Sequence, residues 1–250
     1  MKKKSFTLNF DNRLFFDTLS STNDFALRLI QNSSYNDGAI IVASYQTKGK
    51  GQRKNNWESS KNKNLLLSII LKSDLNVKDQ FKLNICTSLA VRDFLAKYVN
   101  HHINIKWPND IIINNKKISG ILIDNRINQS KIKHSIIGIG INVNQTQFSK
   151  NVLKATSLQK LNKKQYHLDD IEKDLLECIK FRYGNLDNFK NYIKEYNSFL
   201  FLKNKEVHFL FSGKRLKGFI KSVNDSGHLV IQSGKSEHKI FSSNQLKLTL

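Results

Sequence analysis

The apolar positions fall into short unbroken runs, alternating stretches and helical spacings. Ala39-Ile40-Ile41-Val42-Ala43 and Leu65-Leu66-Leu67-Ser68-Ile69-Ile70-Leu71 are unbroken runs, the pattern of strands buried on both faces. Ser5 to Phe10 alternates like a strand, Asp11-Asn12 reads as a turn, and Arg13 to Leu19 resumes extended structure. Asp24 to Ile30 has helical spacing, with Ser21, Thr22 or Asn23 available as its N-cap. A long amphipathic helix is expected from about Val77 to Val99. Ile103 to Ile105 and Ile111 to Ile113 read as strands around a Trp-Pro-Asn-Asp corner. Asn114-Asn115 then turns the chain into a return strand, Lys116 to Asp124. A strand from His134 to Val143 carries Gly138 and Gly140. Glycines on one face of a strand suggest that a ligand or another strand lies against them.

The chain from Asn144 to about Gln165 is polar and irregular. Helices follow at His167 to Tyr183 and from Phe189 to about Tyr196. Beyond Asn204 the texture changes to short strands separated by Ser212-Gly213, Asp225-Ser226-Gly227 and Ser233-Gly234. That spacing fits a small β-barrel, and Phe209, Phe211 and Phe219 fit its core as well as a base-stacking platform, the core being the preferred reading. The expectation is an α+β protein with a central mixed or antiparallel sheet flanked by helices, residues 1–202, and a carboxy-terminal barrel, residues 203–250.

Between the two unbroken runs lies Gln46-Thr47-Lys48-Gly49-Lys50-Gly51-Gln52-Arg53-Lys54-Asn55-Asn56-Trp57. Glycines let backbone N–H groups approach a ligand, and successive N–H groups form a concave anion site. The lysines and arginine add charge where a phosphate or carboxylate could sit. The competing reading is a solvated surface loop. Two readings also stand for Lys117. It is a solvated residue at the strand entry, or it points inward beside Gly120, which leaves room for a ligand.

Composition narrows the function classes. The 250 residues suit one large domain or a main domain with a small one, and 39% apolar content supports a sizeable core. No apolar run is long enough to span a membrane, and the basic start lacks a signal peptide's apolar segment. Cys86 and Cys178 sit in helical patterns, read as free thiols suited to a reducing cytoplasm, with no zinc spacing. The net charge of +21 would suit a nucleic-acid partner. However, lysine greatly outnumbers arginine, the lysines are dispersed, and Asn and Ile are abundant beside the single Pro108. This is the codon bias of an AT-rich genome, so the charge is read as background.

Five motifs in order carry a resemblance: Ser21-Thr22-Asn23; Gly49 to Arg53 with Trp57; Lys106-Trp107-Pro108-Asn109-Asp110; Lys117-Ile118-Ser119-Gly120; and Gly138-Ile139-Gly140-Ile141-Asn142. Across residues 14 to 145 they resemble the biotin–protein ligases. The barrel texture is similar to that family's SH3-like domain. The resemblance implies a class II synthetase-like catalytic domain. It also implies an ATP- and Mg2+-dependent ligase that makes biotinyl-5′-AMP from biotin. That ligase then transfers biotin to a lysine of a biotin carboxyl carrier domain, as in acetyl-CoA carboxylase.

By the same resemblance, Ser21, Thr22 and Asn23 line the biotin ring and Gln46 holds the ligand. Gly49, Lys50, Gly51, Gln52 and Arg53 cover the adenylate, and Trp57 supports that loop or the nucleotide. Lys117, with Gly120 and Gly140 beside the ligand, stabilises charge in the attack, and Arg53 is a second catalytic cation. Asn109 serves the nucleotide region, Asp110 is a candidate for Mg2+, and Asn142 lies on the adenine side. Many members have arginine where this chain has Lys50 and Gln52, and glycine where it has Lys54. The loop is expected to close over ligand, slowing protease cleavage between Lys48 and Lys54. The chain reaches Ser-Thr-Asn by residue 21, so a ligase without specific DNA binding is expected, with homodimerisation through sheet surface an open possibility. The rivals are a lipoate or octanoate ligase or transferase of the sister family, and a basic nucleic-acid-binding module.

Overall fold

A seven-stranded sheet organises the amino-terminal part of the computed structural model, which describes residues 8–52, 55–149, 154–240 and 246–247. In chain order the strands are β1 (Arg13–Leu19), β2 (Ile40–Gln46), β3 (Asn64–Asn76), β4 (Ile103–Lys106), β5 (Asp110–Ile113), β6 (Lys116–Asn128) and β7 (Lys131–Asn142). In space they run β1-β2-β3-β7-β6-β5-β4. The β1–β2 pair is parallel and the other neighbours are antiparallel, so the sheet is mixed. The helices are α1 (Thr22–Gln31), α2 (Phe81–Ala96), α3 (Leu158–Asn162), α4 (Leu168–Gly184) and α5 (Phe189–Ser198).

The two faces of the sheet are covered unequally. On one face Leu65, Leu67, Ile69, Ile137, Ile139 and Ile141 pack with α2, α4 and α5 in the main core. On the other, Ile41, Ile70 and Ile136 pack with Ala26 of α1 in a smaller cluster. This explains why β2 and β3 lack alternation: both faces are buried, so both parities are apolar. The ten residues of α1 are too short to cover the whole second face. The part it leaves free holds Gly120 and Gly140, with Gly138 at its border beneath Asn23 of α1.

The carboxy-terminal unit is a five-stranded antiparallel sheet in the order β11-β10-β9-β8-β12. Its strands are β8 (Glu206–Phe211), β9 (Lys214–Val223), β10 (Leu229–Ser233), β11 (Ser236–Ile240) and β12 (Leu246–Lys247). The sheet curls: the His238 ring of β11 lies 5.2 Å from Phe209 and 4.7 Å from Phe211 of β8, although two strands separate them in the order. The unit docks on the corner between β4 and β5 and on the end of α5. Trp107 Nε1 donates to the Gly227 carbonyl at 2.9 Å, and Asn197 exchanges two hydrogen bonds with the Val223 backbone at 2.6 and 2.9 Å.

Several expectations need correction. Leu8 to Phe10 lie outside any strand, and Ser5 to Thr7 lie outside the described residues. The expected helix from Val77 begins as a 3-10 turn, Val77–Asp79; α2 itself starts at Phe81 and ends at Ala96. The polar stretch after Asn144 contains α3, capped by Ser157, whose hydroxyl accepts from the Lys160 N–H. At five residues, α3 is too short to leave a periodic signal. Phe219 is not in the barrel core: it is 44% exposed, because Gly218 and Ile220 take the inward positions on either side.

Candidate active site

The uncovered part of the second face is the floor of a cavity of about 340 Å3. Gly120 of β6 and Gly140 of β7 are direct register partners, and Gly138 pairs with Ser68 of β3 and Leu122 of β6. Their missing side chains are filled from above. A Cβ on Gly140 would stand 2.6 Å from the Trp57 indole, one on Gly120 2.9 Å from it, and one on Gly138 2.2 Å from Asn23 Oδ1. The object against the strand glycines is therefore neither another strand nor a ligand alone. Side chains from α1 and the glycine-lysine loop lie there and wall the cavity.

The polar end of the cavity is built at the start of α1. Ser21 is the N-cap: its backbone is extended at φ −159° and its hydroxyl accepts from the Asp24 N–H at 3.4 Å. That leaves Thr22 and Asn23 buried at the head of the helix, facing Gln46 at the end of β2. The Thr22 N–H donates to Gln46 Oε1 at 2.7 Å. Ser68 Oγ lies 2.7 Å from Thr22 Oγ1 and 2.6 Å from Asn23 Oδ1. Asn23 Nδ2 donates to Asp124 Oδ2 at 2.8 Å. Ser68 and Asp124 were missed in the sequence. The available signal was a serine interrupting an apolar run at Ser68, and an acid in β6 beyond Leu122.

The charged end is built around Lys117. A register shift between Ile111 and Ile112, opposite Lys117 to Ser119, breaks the two-residue alternation. Ile118 and Ile121 consequently both face the main core, while Lys117 and Gly120 both line the cavity. The backbone of Lys117 is clamped on its other side, its N–H donating to the Lys154 carbonyl at 2.7 Å and its carbonyl accepting from Thr156 at 2.9 Å. Its ammonium sits 2.6 Å from Asp110 Oδ1 and 5.3 Å from the centre of the Trp57 ring. The inward reading of Lys117 holds. Asn109 ties the corner to β6: its Nδ2 donates to the Ile121 carbonyl at 2.8 Å, and its carbonyl accepts from the Ile121 N–H at 2.9 Å.

The loop between these ends is a tight reversal. Gly51 N–H donates to the Asn55 carbonyl at 2.7 Å and Trp57 N–H to the Gly49 carbonyl at 2.9 Å. Lys50, Gly51, Gln52 and Trp57 line the cavity. Gly49 does not; a Cβ there would meet the Trp57 carbonyl at 2.6 Å, so its lack of a side chain lets the two arms pair. Lys50 is held by Asp24 at 2.5 Å. The Trp57 indole N–H is buried without a partner among the described residues. Arg53 and Lys54 lie outside the described residues. Asn142 is buried away from the cavity lining and donates to the Thr156 carbonyl at 3.0 Å, bracing the segment that clamps Lys117.

A polar pocket joined to a lysine-carboxylate corner across a glycine floor is an arrangement for holding a small acid beside an anion. Residues 15–142 match the biotin/lipoate A/B protein ligase family. The chain belongs to that family. Beyond the matched segment, the similarity to the bifunctional ligase/repressor BirA of Bacillus subtilis runs at 29% identity over 240 residues, 92% of this chain and 72% of that protein. The biotin–[acetyl-CoA-carboxylase] ligase of Mycobacterium tuberculosis is 29% identical over 129 residues, 50% of this chain and 47% of that one. Among solved structures, the biotin protein ligase of Aquifex aeolicus in complex with biotin and ATP superposes with a TM-score of 0.78. It is 26% identical, and the match covers 96% of this chain and 99% of that one.

Proposed function

We propose that this chain is an ATP-dependent biotin–protein ligase that forms biotinyl-5′-AMP and passes biotin to a lysine of a biotin carboxyl carrier domain. The observation that carries this reading is the single cavity linking the Thr22–Asn23–Gln46 end to Lys117 across the Gly120–Gly140 floor. A cyclic urea with two N–H donors and one carbonyl suits the polar end. An acid chain running through the cavity past Trp57, whose indole covers Gly120 and Gly140, brings its carboxylate to Lys117. The biotin carboxylate oxygen attacks the α-phosphorus of ATP, the bond to the bridging oxygen breaks, and pyrophosphate leaves. The carrier amine then attacks the acyl carbon and AMP leaves. Lys117 supplies fixed positive charge where the two anions meet, so their approach is less repulsive in the transition state than in water. Arg53 is assigned as a second cation, and Gln52 contributes an amide rather than a charge. Trp57 lays its indole over Gly120 and Gly140 and is assigned to support of the loop or the nucleotide.

The donor set fits a magnesium ion held through substrate phosphates. Asp110 offers one carboxylate at the corner, and no cluster of three or more His, Cys, Asp or Glu occurs among the described residues. Such an ion would screen the phosphate charge. The division at residues 202 and 203, a cytoplasmic location and the absence of specific DNA binding belong to the same proposal, which leaves pairing of two copies through sheet surface open. No described helix is long and apolar enough to cross a membrane.

The sister activity on lipoate or octanoate is the second reading. The polar groups at Thr22, Asn23 and Gln46 weigh against it, because an alkyl or dithiolane end would take their remaining hydrogen-bonding capacity out of water without pairing it. The test is mass spectrometry of a biotin carrier domain incubated with the protein, MgATP and each acid in turn. A biotin-sized adduct on one lysine is expected. An adduct with lipoate or octanoate and none with biotin would move the chain to the sister activity.

A further inference from the structure

The hydrogen bonds behind the polar end run in one direction, and a single carboxylate sets that direction. Asn23 Nδ2 faces Asp124 Oδ2 at 2.8 Å and the Leu122 carbonyl at 3.4 Å. Both are acceptors only, so the amide group facing them is the NH2 and the orientation of Asn23 is fixed. Oδ1 of Asn23 then faces Ser68 Oγ at 2.6 Å and must accept. Ser68 has one hydroxyl proton, and it is used in that bond. The contact at 2.7 Å between Ser68 and Thr22 Oγ1 is therefore supplied by the Thr22 proton, in preference to the longer contact of 3.2 Å from Thr22 Oγ1 to Gln46 Oε1. Gln46 Oε1 accepts the Thr22 N–H at 2.7 Å, which fixes the second amide as well.

The consequence reaches the cavity. Thr22 Oγ1 has given its proton away and offers lone pairs. Asn23 Oδ1 retains a second lone pair. Gln46, which lines the cavity, is left with Nε2, a donor at the cavity's edge beside Gly49, where a Cβ would lie 3.2 Å from it. The end thus presents two acceptors and one donor, the complement of a urea. Gly138 is part of the same arrangement, since any Cβ there would occupy the position of Asn23 Oδ1. Ser68 is fully buried, so water cannot substitute for its role.

We infer that Asp124 is a positioning residue that sets the donor–acceptor polarity of the urea-binding end through Asn23, Ser68 and Thr22, and so determines selectivity for the urea group. The inference rests on the biotin reading above. It would fail separately from that reading if the protein binds biotin but the polarity does not depend on Asp124.

The test compares wild type, Asp124→Asn and Asp124→Glu. In Asp124→Asn the facing group can donate as well as accept, so the Asn23 amide can flip and the chain of protons can reverse. The probes are biotin and 2-iminobiotin, in which a donor replaces the urea carbonyl. Wild type should prefer biotin by on the order of 100-fold or more. In Asp124→Asn, KM for biotin should rise about tenfold and the preference should shrink by a similar factor. KM for ATP and kcat at saturating biotin should stay within about twofold, and Asp124→Glu should restore the preference. The Asn23 side-chain NH2 resonance, assigned by its loss in Asn23→Asp, should be protected from exchange in wild type and lose that protection in Asp124→Asn.

An Asp124→Asn enzyme with wild-type preference and a protected Asn23 amide would overturn the inference, leaving the Leu122 carbonyl as the sole orienting group. Equal losses for biotin and ATP with a lowered Tm would also overturn it, as general structural damage. A wild-type protein with a protected Asn23 amide but no affinity for biotin would defeat the biotin reading while leaving the network intact.

Discussion

Replacing Gly138 with alanine should damage binding far more than the added methyl suggests. Its Cβ would fall 2.2 Å from Asn23 Oδ1 and 3.0 Å from Asn23 Cγ. An ordinary carbon–oxygen contact needs roughly 1 Å more. Asn23 cannot withdraw freely, because its amide is held by Asp124, Ser68 and Leu122 at 2.8, 2.6 and 3.4 Å. Either the methyl is accommodated by strain or the amide swings out and loses those bonds. Overpacking of this kind costs about 1–3 kcal/mol, and a broken bond to a charged group about 1.5–3 kcal/mol. A loss of about 2–3 kcal/mol corresponds to a Tm drop of roughly 4–12 °C for a chain of this size. Biotin affinity should fall by about 30-fold or more, since Asn23 lies at the ligand-facing end. Thermal unfolding and calorimetric titration with biotin measure the two effects. Gly184→Ala is the control: its Cβ would meet nothing within 4 Å, and it sits in the last turn of α4. Gly138→Ala with a wild-type Tm and a biotin Kd within threefold of wild type would refute the reasoning.

Other perturbations test the surrounding frame. Arg182 is buried and bonds Asp93 at 2.5 Å and Glu195 at 2.6 and 2.7 Å, joining α4, α2 and α5; Arg182→Ala should cost about 1.5–3 kcal/mol in urea unfolding, because Glu195 loses both of these bonds while partly exposed Asp93 keeps Arg92 at 3.2 Å. Gly227 has φ +84° and a Cβ there would lie 2.3 Å from Phe81, so Gly227→Ala should lower stability by about 2–4 kcal/mol and loosen the Trp107 corner, read as a lower Tm. Burial pushes the Cys86 thiol up to about 12 from 9.0. Between those values the unfolded chain loses its proton first, so stability falls as pH rises through that window. In a Cys178→Ser background, Cys86 should be silent to Ellman's reagent at pH 8 until the protein is unfolded.

What the sequence made legible follows from locality. The unbroken runs at Ala39 and Leu65 identified β2 and β3, because a strand covered on both faces has only apolar choices. Asn114-Asn115 identified its hairpin, and both residues have positive φ, at 50° and 59°. The glycine-lysine loop and Lys117 were found by residue type beside glycine. What stayed hidden depends on residues far apart in the chain. The inward aim of Lys117 is made by a bulge against β5, which no spacing within β6 displays. The partnership of Asn23 with Asp124 spans 101 positions and exists only because β6 passes the start of α1. Asn142 was assigned to the adenine side by resemblance, but its amide is committed to Thr156. Phe219 looked like core because aromatic residues usually are, yet Gly218 leaves the inward space to Ile231 of β10.

The central claim is that biotin is activated in this cavity beside Lys117. The most direct measurement is pyrophosphate release from MgATP in the presence of biotin and without a carrier domain, for wild type and Lys117→Ala. The account predicts biotin-dependent release in the wild type. It predicts release slower by about 100- to 1,000-fold in the variant, with an unchanged Tm. Release by Lys117→Ala at the wild-type rate would contradict the role of Lys117, and no biotin-dependent release by either protein would contradict the account as a whole.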